Sequence, residues 1–142
     1  MLVPKVVVTG GPCSGKTTCL RRMSDFLSRR GIRVFFAMEA ASALLHNGAV
    51  VGDLASPQCQ KAFQEFVLKF QCTVEDMMVN YAMSIGQPAV VICDRGVMDG
   101  AAYIDDEQFQ HLLASEGTNK FLAREGRYDA VFHLVTAAGM NS

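Results

Sequence analysis

An apolar run, Val6-Val7-Val8, leads straight into GGPCSGKT at Gly10 to Thr17. The spacing Gly-x-x-x-x-Gly-Lys-Thr, set after a strand and before a helix, is the Walker A pattern of a phosphate-binding loop. It constrains the fold more than any other stretch, because it needs a strand end, a tight turn and a helix start in fixed relation. Backbone N–H groups of such a loop converge on a β-phosphate, and the positive end of the helix points the same way. Lys16 is expected to reach the β and γ oxygens, and the Thr17 hydroxyl to bind Mg2+. Gly10 and Gly15 allow backbone angles and close approach that a Cβ would block. The expected nucleotide site is Gly10, Gly11, Pro12, Cys13, Ser14, Gly15, Lys16, Thr17 and Thr18.

The flanks agree with the loop. Lys5 to Thr9 reads as a short strand, and Thr17 to Arg30 as a helix with Leu20, Met23 and Leu27 on one face. Gly31 falls at the C′ position, while Arg29 and Arg30 suit the negative helix end. A glycine-rich turn without a ligand would not require all three signals to coincide.

Further along, Ile32 to Ala37 reads as a second strand, with Val34, Phe35 and Phe36 buried on both faces. Glu39 closes it and opens a short helix through His46, followed by a loop from Asn47 to Ser56. Ser56-Pro57 then starts a long helix, with Ser as N-cap and Pro at the first helical position. Phe63, Phe66, Val67, Phe70, Val74, Met77, Met78, Tyr81 and Ile85 recur at spacings of three and four. Packing on a sheet explains this stripe more simply than a ligand pocket does. Gly86 and Pro88 end the helix. Ala89 to Cys93 and Tyr128 to Val135 read as strands three and four, with helices over Asp105 to Ser115 and Asn119 to Glu125. Apolar strands separated by helices imply an α/β fold whose parallel sheet is covered on both faces. Ligands of such sheets bind beyond the carboxyl ends of the strands.

The 142 residues suffice for one domain with a substantial core, and one domain over 1–142 is expected. With 50% hydrophobic and 19% charged residues the chain is globular. A net charge of -1 without a long basic block argues against a nucleic-acid partner. Arg21, Arg22, Arg29, Arg30 and Arg33 form either a solvated helix face or a contact for phosphoinositides or anionic membrane. The five cysteines show no metal-ligand spacing, which suits a reducing compartment. Cys19 and Cys93 read as small core hydrophobes, and Cys13 as a residue open to oxidation when nucleotide is absent. Lacking a leader-like N-terminus and a run of membrane-spanning length, the chain is expected to be cytoplasmic or peripheral at membranes.

Charged residues gather at the expected strand ends. Asp94 follows Val90-Val91-Ile92-Cys93 and is expected to join Thr17 in holding Mg2+, the bland reading being a turn cap. Arg95 either contacts phosphate oxygens or bridges to Asp94 or Asp99. Glu39 either accepts a proton or holds a sugar hydroxyl, or else it faces a helix dipole. Asp99 is a substrate contact or a helix cap. Asp105-Asp106-Glu107 reads as an acidic helix start, and His46, His111 and His133 show no ligand spacing. Thr118-Asn119-Lys120 lacks the Asp that a guanine reader needs, since residue 122 is Leu.

VVVTGGPCSGKTT, Glu39 and the stretch ICDRGVMDGAAYID together resemble a known family. It is the AAA-type P-loop domain shared by the nicotinamide riboside kinase module of NAD regulators and the TRPL translocation defect proteins. Asp94 to Tyr103, DRG-x-x-D-x-x-x-Y, is the discriminating part, and the likeness runs from Lys5 to about Ala138. The resemblance implies a P-loop kinase-like three-layer sandwich with strand order 2-3-1-4, normally continued by a fifth strand. The GGPCSGKTT variant with a Phe-rich helix looks closer to the translocation defect proteins, which are associated with GTP, phosphoinositides and membrane-protein cargo. The bacterial relatives phosphorylate a nucleoside-like substrate with ATP. In that case Lys16, Glu39, Asp94 and Arg95 would be catalytic, with Mg2+ as cofactor. Related kinases continue into an arginine-bearing lid and a fifth strand. Here no Arg follows Arg127 and the sequence stops at Met140-Asn141-Ser142, so both are expected to be missing and a sheet edge exposed.

Overall fold

The structure, a computed structural model, describes residues 2–11 and 14–135. Expectations placed on Pro12, Cys13 and residues 136–142, including those about the lid and fifth strand, lie outside them. Strands β1 (Lys5–Gly10), β2 (Arg33–Ala37), β3 (Ala89–Asp94) and β4 (Ala130–Leu134) form one parallel sheet in the order β2-β3-β1-β4. This is the strand order that the resemblance implied. Register sets Val7 beside Cys93 and Val8 beside Asp94, so β1 runs two residues beyond the end of β3.

Four helices connect the strands: α1 (Lys16–Ser28), α2 (Ala40–His46), α3 (Pro57–Ile85) and α4 (Asp106–Ser115). Short 3-10 turns at Val51–Leu54 and Val97–Ala102 and a π-type turn at Leu122–Gly126 complete the links. Successive residues of a strand face opposite sides, so the sheet has two cores. On one side Val8, Val90 and Ile92 meet Cys19, Leu20, Met23 and Leu27 of α1. On the other, Val7, Phe35, Ala37, Val91 and Cys93 meet Ala82, Val74 and Met78 of α3. A third cluster joins Leu68 and Cys72 of α3 to Phe109, Leu112 and Leu113 of α4.

The helix punctuation follows the sequence. The Ser56 hydroxyl accepts from the Cys59 amide at 3.1 Å, with Pro57 at the first position of α3. The Asp105 carboxylate accepts from the Gln108 amide at 2.8 Å, so the acidic trio does open α4. Asn119 to Glu125 is not one regular helix, because its second half widens into the π-type turn.

Three burial expectations are corrected. Phe36 is 42% exposed: β2 is an edge strand, and the α1 cluster takes in Ile32 and Val34 but not Phe36. Val131 and Phe132 are about half exposed, because β4, the other edge among the described residues, lacks a second neighbour. On α3, Phe66, Met77 and Tyr81 face solvent, and the fully buried positions are Leu68, Gln71, Cys72, Glu75 and Ala82. Val74, Met78 and Ile85 of the expected stripe do pack on the sheet beside Ala82, so the inward face is offset from that stripe and not opposite to it.

Candidate functional site

Parallel strands deliver their following loops to one end of the sheet. There the loop after β1 meets Glu39, two residues past β2, Asp94 at the end of β3, and Arg95-Gly96 just beyond it. Gly10 is required by space: a Cβ would stand 2.7 Å from Ser14 Oγ and 2.9 Å from the Leu134 carbonyl oxygen. Gly15 is required by conformation, with φ +81°, and its carbonyl accepts the first bond of α1 from the Cys19 amide at 2.9 Å. The Ser14 amide folds back to the Gly11 carbonyl at 3.3 Å. Ser14 Oγ is buried without a partner among the described residues. Gly11, Thr17 and Thr18 are exposed at the loop and the first turn of α1.

Four of the expected residues converge as an alternating chain of charge. The Lys16 ammonium pairs with the Asp94 carboxylate and lies 3.8 Å from Glu39 Oε2. Glu39 Oε1 lies 3.3 Å from Arg95 Nε, without hydrogen-bond alignment, so that buried N–H has no partner. Arg95 thus bridges to neither Asp94 nor Asp99. Asp99 serves as a local cap: its carboxylate accepts from the Gly96 amide at 3.0 Å and the Thr9 hydroxyl at 2.9 Å. Cys19 and Cys93 both pack in cores, as expected, and burial raises the Cys93 thiol pKa well above its ordinary value.

Glu39 and Arg95 also form part of the wall of a cavity of about 270 Å³ between α2, α3 and the turn after β3. Its remaining wall is largely apolar and includes Phe63, Val67, Tyr103 and Phe109. Part of the Phe stripe therefore lines a pocket, which the sheet-packing expectation did not include.

The residues that sequence reasoning missed are Gln71, Glu75 and Tyr128. Glu75 is completely buried on α3. Its Oε1 accepts from Arg127 Nε at 2.8 Å and Lys5 Nζ at 3.4 Å, and its Oε2 from Tyr128 Oη at 2.8 Å and from Gln71 Nε2. Burial, reinforced by the Glu75 charge, lifts the Tyr128 phenol far above its ordinary pKa. Burial opposes the charge on Arg127, yet the Glu75 charge and hydrogen bond, together with Cys72 and Tyr128, outweigh it and hold that guanidinium above its usual value. One signal was available: Leu68, Cys72, Glu75, Val79 and Ala82 step by four and three, which places an acid inside an apolar helical stripe.

The Mg2+ expectation can be tested against the donor set. Among the described residues no group of three or more His, Cys, Asp or Glu side chains forms a metal site. Magnesium bound with a nucleotide needs only one or two protein oxygens besides phosphate. The exposed Thr17 hydroxyl and the Asp94 carboxylate fit that demand, and the unpartnered Ser14 Oγ fits a loop built around an absent polar ligand.

A 2-3-1-4 parallel sheet with this glycine loop between β1 and α1 defines a P-loop, kinase-like α/β domain. Residues 5–141 match a family model described as "AAA domain", and the chain belongs to that family. No curated protein matches the chain. Among solved structures, thymidylate kinase from Ehrlichia chaffeensis shares the fold at a TM-score of 0.63 and 17% identity. The alignment covers 98% of this chain and 76% of that one.

Proposed function

We propose that the chain is a Mg2+-dependent purine nucleotide-binding domain that transfers the γ-phosphoryl group of ATP to a hydroxyl of a small, nucleoside-type acceptor. One observation carries this reading: Lys16, Glu39 and Arg95 converge where the phosphate loop meets the cavity. A switch that only binds and hydrolyses GTP has no need of a second, largely apolar pocket beside the phosphate loop. The translocation defect reading would use the α1 arginines for phosphoinositide or cargo contact. Those side chains are exposed, with Arg30 stacked on Phe26 at 3.5 Å, and a solvated helix face accounts for them. Among the described residues no helix is long and apolar enough to cross a membrane.

In this reading residues 10–18 cradle the triphosphate, and Lys16 leaves its carboxylate partners for the β and γ oxygens. Thr17 and Asp94 would hold Mg2+, which neutralises charge on the β and γ phosphates. The acceptor sits in the cavity with its hydroxyl toward Glu39. Its oxygen attacks the γ-phosphorus, the bond to the β–γ bridging oxygen breaks, and ADP leaves. Glu39 takes the hydroxyl proton, and Arg95 steadies the equatorial oxygens of the transferring group. The test is phosphate transfer from labelled ATP to a panel of nucleosides. Glu39→Gln should keep nucleotide binding and lose turnover, and Lys16→Ala should lose both. Transfer that survives Glu39→Gln removes Glu39 as the base. GTP turnover that no acceptor stimulates overturns the kinase reading.

A further inference from the structure

The turn that carries Arg95 is tied down at every step. The Arg95 amide donates to the Val8 carbonyl at 3.0 Å, and the Arg95 carbonyl accepts from Gln71 Nε2 at 3.1 Å. The Gly96 amide donates to Asp99 at 3.0 Å, and the Val97 amide to Tyr128 Oη at 2.9 Å. Two of these four anchors, Gln71 and Tyr128, end on the same oxygen, Glu75 Oε2. Arg95 is also the one residue other than glycine, among those described, with a positive φ, at 71°. Such a backbone persists only where its surroundings over-determine it. A buried carboxylate is an expensive way to fill a helix–sheet contact, and an apolar side chain would serve packing as well.

The geometry points to Glu75, acting through Gln71 and Tyr128, as the positioning residue that sets the direction of Arg95 across the edge of the cavity. Glu75 touches neither the phosphate loop nor the cavity. Its two cations, Lys5 at the start of β1 and Arg127 before β4, anchor it to the sheet. It thereby ties the loop after β3 to the strand that carries the phosphate loop. The inference rests on the reading that Arg95 acts on the transferring phosphoryl group.

The test uses Gln71→Met and Tyr128→Phe in the full chain at saturating acceptor, since removing Glu75 itself risks unfolding and Gln71 also lines the cavity. Both variants should stay folded and bind an ATP analogue within about twofold of the parent, while kcat falls about tenfold to a hundredfold. In an Arg95→Ala background the same substitutions should cost nothing further, because the group they aim is gone. A full loss that persists in that background, or no loss at all, overturns the assignment. Amide hydrogen exchange separates its failure from that of the kinase reading. If the parent chain transfers phosphate to no acceptor, the kinase reading falls and exchange decides alone. Faster exchange at Gly96 and Val97 with unchanged β3 amides supports positioning, and unchanged exchange at those two amides refutes it.

Discussion

The loops after β1 and β3 lie side by side at the same sheet end, yet they are held in opposite ways. The loop after β3 has its backbone groups bound one by one to Val8, Gln71, Asp99 and Tyr128. The loop after β1 leaves Ser14 Oγ buried without a partner among the described residues. Its lysine borrows carboxylates from two other elements. The fold thus completes one side of the site by itself, and the other side is shaped for something that arrives. Groups that act on the transferring charge gain from being fixed beforehand, whereas groups that bind nucleotide must be free to exchange partners.

The largest effect that could break this contrast is expected on the tied side. Glu75→Ala leaves Lys5 and Arg127 without their buried counter-charge, and should cost about 3–5 kcal/mol in denaturant unfolding. A loss near zero would mean that the network is ornamental and that the two loops do not differ as described. Gly10→Ala comes next, with an expected cost of about 1–3 kcal/mol, because backbone and Ser14 must move apart. That variant should also weaken nucleotide binding, which titration of a fluorescent ATP analogue would report.

The third effect depends on pH. Cys72 and Cys93 have an ordinary pKa of 9.0 and Tyr128 one of 10.0, and burial raises all three in the fold. Groups with a raised folded pKa stabilise below the unfolded value and lose that contribution as pH rises. Above about pH 9 the unfolded chain therefore holds fewer protons than the folded one. Stability should fall by up to about 1.4 kcal/mol per pH unit for each group titrating. A flat profile between pH 9 and 11 would contradict the buried placement of these groups. The smallest effect belongs to the open side: Lys16→Ala should change folding stability by less than about 1 kcal/mol while removing nucleotide binding.

Much of the open side was legible in the sequence. The phosphate loop, the ends of α3 and the placement of Glu39 and Asp94 all follow from residues whose local chemistry allows few alternatives, such as Ser56-Pro57 and Gly86. The tied side was not legible, for a physical reason. Gln71 and Glu75 are one turn apart on α3, but Arg95 and Tyr128 lie far from them in the chain. Only the packing of α3 on the sheet brings the three segments together. Tyr128 illustrates this: placed in a strand by its apolar neighbours, it precedes β4 and turns its hydroxyl inward. A pocket lined by the Phe stripe of α3 ranks below sheet packing on sequence grounds, for a related reason. Phe63 and Val67 belong to the same helical stripe as the exposed Phe66, and periodicity does not say which part of a stripe meets a neighbour.

On the proposed kinase reading, the left-handed backbone at Arg95 sets stability against function at one position. A side chain there costs about 1–2 kcal/mol relative to glycine. Arg95→Gly would therefore relax the turn and raise the melting temperature while removing the guanidinium. Screening a library of this domain for thermal stability alone would then enrich for an inactive protein, and the enrichment would begin at residue 95.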